Sequence, residues 1–356
     1  MKNLYKDLME LPGTSAHEGR IRNYMEEFIK DYPNYLIKKD NLGSIFAYKK
    51  SKNKDAKTLM IAGHLDEVGL MVKGIKNNGA LEVLAIGGLL GEVFISQVLY
   101  VYTKDGLEIP GVIGSIPPHL KTNNKVDIEN LLVDIGASSK EEVINLGIEI
   151  GDMVSFKTPY LNTFNDKMFI AKSIDNRFGC ALSLETIKHF HDIELEFNIA
   201  IGATVQEEVG LRGAKTSVNL IKPDMFIALD ASPVNDLYDP SFDTKLGKGF
   251  LVRVYDPRNI MPQNLKRYFI DLANKNNIPY QLFISKGGTD AAMAHNMYEG
   301  IISTTIGLPA RYIHSSAAIA SYDDLNSARM MLFTLINNLT NKKIDLLKGG
   351  NLIEDL

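Results

Sequence analysis

The chain has 356 residues, 45% of them hydrophobic, and its formal net charge of -4 argues against nucleic acid or an anionic membrane as a partner. Its length favours one large domain with a second one inserted or appended, and no segment approaches the run of about 20 apolar residues that a membrane span needs. The single cysteine, Cys180, and an N-terminus without a signal-like apolar stretch predict a cytoplasmic protein.

Residues 1–67 are predicted to form two helices followed by strands. The first helix spans Leu4–Met9. Ser15 is a candidate N-cap for a second helix over "AHEGRIRNYMEEFIKDY", whose apolar residues recur at helical spacing. Two strands, "YLIKKDN" and "GSIFAYKK", come next. The segment "TLMIAGHLDEVGLMV" begins as a continuous apolar run, which is typical of a strand buried on both faces.

Residues 68–165 have the character of a small all-β domain. Short alternating strands separated by glycine and proline, such as "LEVLAI", "QVLYVYT" and "DMVSFKT", predict a barrel or a sandwich. Two segments, "NKVDIENLLVDIG" and "SKEEVINLG", have helical character. We interpret the region as an insertion, because α/β character precedes it and resumes after it.

Strands and helices alternate again from residue 166 to residue 356. The strand "MFIAKSID" and the helix "NRFGCALSLETIKHF" are followed by the strands "EFNIAIGATVQ", "DMFIALD" and "FLVRVYD". The helices "NLKRYFIDLANKNN" and "TDAAMAHNM" and a long C-terminal helix alternate with two further strands. The sequence therefore predicts an α/β catalytic domain, residues 1–67 and 166–356, interrupted by a barrel-like β-domain at residues 68–165.

Acidic and imidazole side chains follow several of the apolar strands. In an open α/β sheet ligands bind outside the carboxyl ends of the strands, so we expect these side chains to meet. Imidazoles and carboxylates without a thiol suit zinc, cobalt or manganese, and a pair of divalent cations would offset the repulsion among the carboxylates. The side chains are His64, Asp66, Asp175, Glu207, Glu208, Asp230 and His314.

Each of these residues also has an ordinary structural explanation when it is taken alone. Asp175 fits a helix N-cap, and the adjacent Glu207 and Glu208 fit a solvated turn. Because such groups occur at the ends of several strands, one shared site explains them better than a separate role for each. Elsewhere in the chain, Cys180 fits a buried core thiol better than a nucleophile, and His119 fits a polar loop residue.

The segments that carry these residues resemble the tetrahedral metallo-aminopeptidases, a family that includes glutamyl and deblocking aminopeptidases. "AGHLDEVGLMV" is similar to the family's first metal segment, "SIDNRFGC" to its bridging-aspartate segment and "QEEVGLRGA" to its catalytic-glutamate segment. "ALDAS" and "RYIHSS" resemble its last two ligand segments, although Ser316 stands where many relatives have proline. The resemblance covers nearly the whole chain and implies a mixed-sheet, three-layer catalytic domain of the zinc-peptidase type.

The resemblance also implies two divalent metal ions per subunit, zinc or cobalt first and manganese as an alternative. Glu207 is implied as the general base that takes a proton from a metal-activated water and returns it to the leaving amine. Asp66 is implied as the carboxylate that orients the imidazole of His64. The implied ligands are His64 and Asp230 for one ion, Glu208 and His314 for the other, and Asp175 for both.

The implied activity is the removal of N-terminal residues from short peptides. The inserted β-domain is similar to the family's oligomerisation domain and implies dimers that build a tetrahedral dodecamer. The preferred N-terminal side chain stays open between acidic, basic and apolar; Arg253 and Arg258 are candidates for contacts with an acidic one. The segment "KGGTDAAMAH" fits either a glycine-rich loop near the site or a helix entry capped by Thr289 or Asp290.

Three other functions compete with this one. A related amidase or deacylase would act on blocked amino acids with the same site. A glycoside hydrolase would need two carboxylates about 5 to 9.5 Å apart around the scissile bond, and it would leave His64 and His314 without a role. A binding or scaffold protein with a degenerate site is disfavoured by the intact ligand set.

Overall fold

The structure, a computed structural model, describes residues 2–115, 119 and 126–350. Its helices are α1 (Lys2–Glu10), α2 (Gly19–Lys30), α3 (Lys140–Asn145), α4 (Ile174–Phe190), α5 (Arg212–Ile221), α6 (Gln263–Lys275), α7 (Asp290–His295), α8 (Tyr322–Asn338) and α9 (Asn341–Leu347). Its strands are β1 (Leu36–Lys39), β2 (Ile45–Lys49), β3 (Thr58–His64), β4 (Gly69–Ile75), β5 (Leu81–Ile86), β6 (Val98–Tyr102), β7 (Glu108–Ile113), β8 (Leu132–Asp134), β9 (Met153–Phe156), β10 (Leu161–Asn162), β11 (Met168–Ala171), β12 (Asn198–Thr204), β13 (Met225–Pro233), β14 (Phe250–Asp256), β15 (Asn259–Ile260), β16 (Tyr280–Ile284), β17 (Ile302–Arg311) and β18 (Ala318–Ser321).

A 12-stranded mixed sheet forms the centre of the molecule. Its strand order is β1-β2-β12-β3-β13-β17-β18-β11-β10, and β14 joins β15 and β16 to β17. The central strands β12, β3, β13 and β17 run parallel to one another. These strands are buried on both faces, as the continuous apolar runs in their sequences predict.

Helices cover both faces of this sheet. Alternate residues of β3 enter opposite cores: Leu59 and Ile61 lie in one, and Met60 and Ala62 in the other. Helices α1, α2, α4, α6, α8 and α9 contribute buried side chains to the first core, and α5 and α7 contribute to the second. The predicted three-layer α/β class is confirmed. Among the described residues, no helix combines the length and the apolar character that a membrane crossing requires.

The chain between β3 and β10 forms a closed antiparallel barrel in the order β4-β5-β8-β7-β6-β9. The barrel has a core of its own, in which the rings of Phe94 and Phe156 stack with centroids 5.1 Å apart. The predicted barrel-like insertion in an α/β fold is thus confirmed. The short strand β10 already pairs with β11 in the large sheet.

The helix predicted over "NKVDIENLLVDIG" is wrong for the part of this segment that the structure describes. A short 3-10 turn, Ile128–Asn130, is followed by the strand β8. This strand pairs with β5 and β7 and closes the barrel. Hydrogen bonds to strands distant in sequence therefore outweigh a local helical pattern.

Ser15 is not the N-cap of the second helix. Helix α2 begins at Gly19, and Glu18 occupies the N-cap position without a side-chain cap. The Ser15 hydroxyl instead donates to Asp66 Oδ2 at 2.6 Å. The segment before α2 is thus tied to the end of β3 rather than to its own helix.

Candidate metal centre

Parallel pairing aligns the ends of the central strands at one edge of the sheet. His64 is the last residue of β3 and pairs with Thr204, the last residue of β12. The turn with Glu207 and Glu208 follows β12 directly. Asp230 lies in β13, on the other side of β3. The sheet therefore brings these groups to one place, as the carboxyl ends of parallel strands do.

Asp175 lies between the two imidazoles of the cluster. It occupies the first turn of α4, where Ser173 rather than Asp175 takes the N-cap position. Its Oδ1 lies 3.2 Å from His64 Nε2, and its Oδ2 lies 3.4 Å from His314 Nε2. His314 reaches this position from the loop after β17 with a left-handed φ of 58°. One carboxylate thus faces two histidines through separate oxygens.

Further carboxylates complete a pocket on each side of Asp175. On one side, Asp230 Oδ1 lies 3.7 Å and Glu207 Oε2 lies 3.8 Å from His64 Nε2. On the other side, Glu208 Oε1 lies 3.4 Å from His314 Nε2.

The donor atoms fit two divalent cations. Nitrogen and oxygen ligands at about 2.0–2.2 Å in a tetrahedron lie roughly 3.3–3.6 Å apart, which is close to the separations found here. Glu208 Oε1 is buried and has no hydrogen-bond partner among the described residues, as expected of an atom that faces a cation. Two groups have ligand atoms within 4.8 Å of one another and share Asp175: His64, Asp175 and Asp230, and Asp175, Glu208 and His314.

The charges of this cluster depend strongly on one another. Burial raises the pKa of Glu208 to about 8, and Asp175 adds to the shift. Burial opposes protonation of His314, but Asp175 and Glu208 outweigh it and raise the pKa of that imidazole to about 10. Bound cations would take the place of these protons, because they favour ionised carboxylates and neutral imidazoles.

Asp66 is fully buried and contacts both His64 and the turn that carries Glu207 and Glu208. Its Oδ1 lies 3.4 Å from His64 Nδ1, which also lies 3.1 Å from the main-chain oxygen of Asp66. The same carboxylate accepts the peptide N–H groups of Glu207 at 3.0 Å and Glu208 at 3.2 Å. The sequence predicted only the contact between Asp66 and His64. The contacts with Glu207 and Glu208 were not predicted, because they depend on how two turns distant in sequence pack together.

Sequence reasoning left Asp290 undecided, and the structure buries it behind the cluster. Asp290 opens α7 with Thr289 at the N-cap position, so a helix does begin here, but the Thr289 hydroxyl pairs with that of Thr305 and makes no capping hydrogen bond. The Thr204 hydroxyl donates to Asp290, and burial raises the pKa of that carboxyl to about 7. The preceding loop, Lys286–Gly288, lines the cavity above the cluster. The first residues of "KGGTDAAMAH" thus form a loop near the site, and the residues from Thr289 onward form the entry of a helix.

The cluster lies in a cavity of about 970 Å³. The loop after β13, the strand β16 and the residues around Tyr312 form its walls. Arg253 lines this cavity, whereas Arg258 is exposed and is not among its lining residues. A cavity of this size fits a short peptide or an amino acid derivative.

Cys180 and His119 were both predicted to lie outside the site. Cys180 is fully buried and its thiol donates to His64 O at 3.1 Å, so it belongs to the core and not to the donor set. His119 is exposed, and its immediate neighbours on both sides lie outside the described residues.

Comparison with known proteins places this chain in a family. Residues 43–331 match the family model of M42 glutamyl aminopeptidase. The glutamyl aminopeptidase of Lactococcus lactis subsp. cremoris is 38% identical over 349 residues, covering 97% of this chain and 98% of that protein. A TET aminopeptidase from a marine sediment archaeon of the Thaumarchaeota has 33% identity and a TM-score of 0.92, with 97% and 98% coverage. The TET1 peptidase of Pyrococcus horikoshii has 32% identity and a TM-score of 0.86, with 95% and 99% coverage. The chain belongs to the M42 glutamyl aminopeptidase family and is a metallopeptidase of the aminopeptidase type.

Proposed function

We propose that this aminopeptidase works with two metal ions bridged by Asp175. The proposal is supported above all by the geometry of that carboxylate, whose two oxygens lie 3.2 and 3.4 Å from different imidazoles. One ion would occupy only one side of Asp175 and leave the other donors uncompensated. The proposed ligands are His64 and Asp230 for one ion, Glu208 and His314 for the other, and Asp175 for both.

Glu207 is proposed as the general base. When bound, the cations would lower the pKa of a water and polarise the scissile carbonyl. Glu207 Oε2 lies 3.8 Å from His64 Nε2, within reach of the same centre without being required as a ligand. Burial, opposed in part by His64 and reinforced by Asp230, raises the pKa of Glu207. A carboxylate held beside the centre can take a proton from such a water and return it to the leaving amine.

The donor set favours zinc or cobalt, with manganese as an alternative. Imidazole nitrogens and carboxylate oxygens suit all three ions, and no cysteine lies among the described residues that line the cavity. Asp66 is proposed to fix the imidazole of His64, in the way that carboxylates orient metal-binding histidines.

An acidic N-terminal residue is the proposed substrate preference. The guanidinium of Arg253 is 5% exposed, and its one carboxylate partner among the described residues is Asp256, at 4.0 Å. Arg253 Nε has no hydrogen-bond partner within the described part of the chain. Its Nη1 donates to Gly287 O at 3.0 Å and its Nη2 to Ser232 Oγ at 2.7 Å, so the guanidinium is held in the cavity wall by neutral acceptors. A buried cation whose nearest carboxylate among the described residues is this distant favours a substrate carboxylate. The similarity to a glutamyl aminopeptidase supports the same preference.

A panel of aminoacyl p-nitroanilides tests the proposal. The protein is freed of metal with a chelator and then assayed with zinc, cobalt or manganese, alongside Glu207→Gln. We expect turnover to vanish on chelation and to return with metal. We expect Glu207→Gln to bind metal normally and to lose about 100-fold or more in kcat, because it cannot accept the proton.

Three results would contradict the proposal in different ways. Retained turnover by Glu207→Gln would remove the general base. A metal stoichiometry of one ion at full activity would remove the two-metal centre. Cleavage only of substrates with a blocked amino group would favour the related amidase or deacylase.

The assembly is proposed to be a homo-oligomer, dimers that build a tetrahedral dodecamer. The similar TET1 peptidase of Pyrococcus horikoshii can assemble into a tetrahedron or a large octahedral shell. In this chain Leu90 and Ile150 of the inserted region are each 70% exposed, and Phe164 is fully exposed. Large apolar side chains of this kind in water favour burial against another subunit.

A further inference from the structure

The turn that carries the two glutamates is held by two carboxylates from elsewhere in the chain. Gln206 donates its peptide N–H to Glu18 Oε1 at 3.0 Å. The next two N–H groups, of Glu207 and Glu208, go to the carboxylate of Asp66 at 3.0 and 3.2 Å. The peptide N–H groups of three consecutive residues, Gln206, Glu207 and Glu208, are thus all bound by buried carboxylates.

Gln206 adopts a conformation that is unfavourable for its residue type. Its φ is 54°, in the left-handed region that side chains other than glycine rarely occupy. The turn sends the next two side chains in different directions: Glu207 towards His64 and Glu208 towards His314. A relaxed Gln206 would move both carboxylates. The contact with Glu18 therefore acts on the geometry of the whole centre.

Glu18 belongs to a segment that the core holds firmly. The N-terminal strap, as we call residues 11–18, receives hydrogen bonds from Arg177, whose guanidinium is fully buried and donates to Leu11 O at 2.8 Å and to Gly13 O at 3.0 Å. Glu67, next to Asp66, exchanges main-chain and side-chain hydrogen bonds with Gly13 at 3.0 Å. The strap is thus anchored beside the loop after β3.

The strap provides hydrogen-bond donors to Asp66 and to Glu18, the two carboxylates that hold the turn. Ser15 donates to Asp66 Oδ2 at 2.6 Å. Glu18 is 4% exposed, and its Oε1 accepts a second N–H from Ala16 at 3.0 Å as well as that of Gln206. A carboxylate buried to this degree and bound to peptide groups of both the strap and the turn has little freedom to move.

We propose that Glu18 is a positioning residue that holds Glu207 in place through the peptide N–H of Gln206. The inference rests on the proposed function, in which Glu207 is the general base. Removal of the Glu18 carboxylate leaves the left-handed turn without its anchor on the strap. The reaction suffers more than substrate binding does, because proton transfer depends on placement of the base within fractions of an ångström.

The test compares Glu18→Ala with Glu18→Gln in the metal-loaded enzyme. Asp224→Ala is the matched control, since Asp224 Oδ2 also accepts a peptide N–H, that of Thr58 at 3.0 Å, but at the opposite end of β3. At equal metal occupancy, we expect Glu18→Ala to lower kcat by about 100-fold with KM nearly unchanged. Glu18→Gln should recover most of the rate, because its amide oxygen can accept the same N–H groups. Asp224→Ala should keep the wild-type kcat.

Several outcomes would overturn the inference. These are a wild-type kcat for Glu18→Ala at equal metal occupancy, an equal loss in Asp224→Ala, and a Glu18→Gln variant as slow as Glu18→Ala. A normal Glu18→Ala beside an inactive Glu207→Gln would overturn the positioning role and leave the proposed function standing. An active Glu207→Gln would overturn the proposed function itself.

Discussion

At the scale of single residues, the backbone between β12 and the two glutamates directs the side chains of Glu207 and Glu208 to different places. The left-handed Gln206 turns the chain, so that one carboxylate approaches each histidine. The sequence shows two adjacent acids after an apolar strand and thereby identifies the segment. The direction of each side chain could not be predicted, because the turn is held by Glu18 and Asp66 from distant parts of the chain.

Arg253→Ala should remove the preference for an acidic N-terminal residue. We expect kcat/KM for the glutamyl anilide to fall by roughly 10- to 100-fold, which corresponds to the loss of a charge-assisted hydrogen bond worth about 1.5–3 kcal/mol. The value for the leucyl anilide should change little, since that side chain makes no ion pair.

Arg258→Ala is the matched control for this prediction. Arg258 is exposed and is not among the residues that line the cavity, so its removal subtracts the same charge while Arg253 stays in the cavity wall. An equal loss in both variants would show a general electrostatic effect. A glutamyl preference that survives in Arg253→Ala would place the specificity elsewhere.

At the scale of elements, the close contact between β3 and α4 brings His64 and Asp175 together. Gly63 lies directly against the backbone of Gly179: a Cβ on Gly63 would meet the carbonyl carbon of Gly179 at 2.6 Å. Since His64 follows Gly63 and Asp175 lies in the first turn of the same helix, the distance between strand and helix sets the distance between these two proposed ligands.

Gly63→Ala should therefore damage both stability and the centre. We expect a loss of about 1–3 kcal/mol in the free energy of unfolding, because the backbone of α4 cannot yield as a side chain can. Metal affinity should fall with it. Gly114→Ala is the control, since a Cβ there meets nothing within 4 Å in the described part of the chain and its φ is ordinary. Denaturant unfolding and metal titration give the two readouts, and a fully stable Gly63→Ala would contradict the packing argument.

The elements themselves were predicted to different degrees. Long apolar runs such as β3 and β13 were identified because burial on both faces leaves a continuous hydrophobic pattern. The strand β8 was missed, since it has only three residues and owes its conformation to β5 and β7. Ser15 was assigned to a local cap although its hydroxyl is used by Asp66.

At the scale of the whole molecule, the inserted barrel and the large sheet form separate hydrophobic cores. A barrel with its own core can add surface to the molecule, and its loop after β5 also reaches the site, where Gly88 O lies 2.7 Å from His314 Nδ1. Its exposed apolar residues then become available for contacts between subunits.

The proposed assembly predicts a dodecamer in light scattering after size exclusion. Phe164→Asp should lower the apparent mass, because Phe164 is fully exposed in the single chain and a charge would be costly inside an interface. The variant should keep the circular-dichroism spectrum of the folded wild type, since Phe164 lies outside the core of one subunit. A monomer in the wild type at micromolar concentration would contradict the proposed assembly.

The sequence by itself determined the α/β class, the barrel-like insertion and the segments that carry the donors, since hydrophobic periodicity and residue type are local properties. Only the tertiary structure decided which oxygen of Asp175 faces which histidine, and that Arg253 but not Arg258 lines the cavity. It also revealed that Glu18, far away in the chain, holds the turn before Glu207. These features depend on distances between elements that are remote in sequence, and such distances are set by packing and not by local pattern.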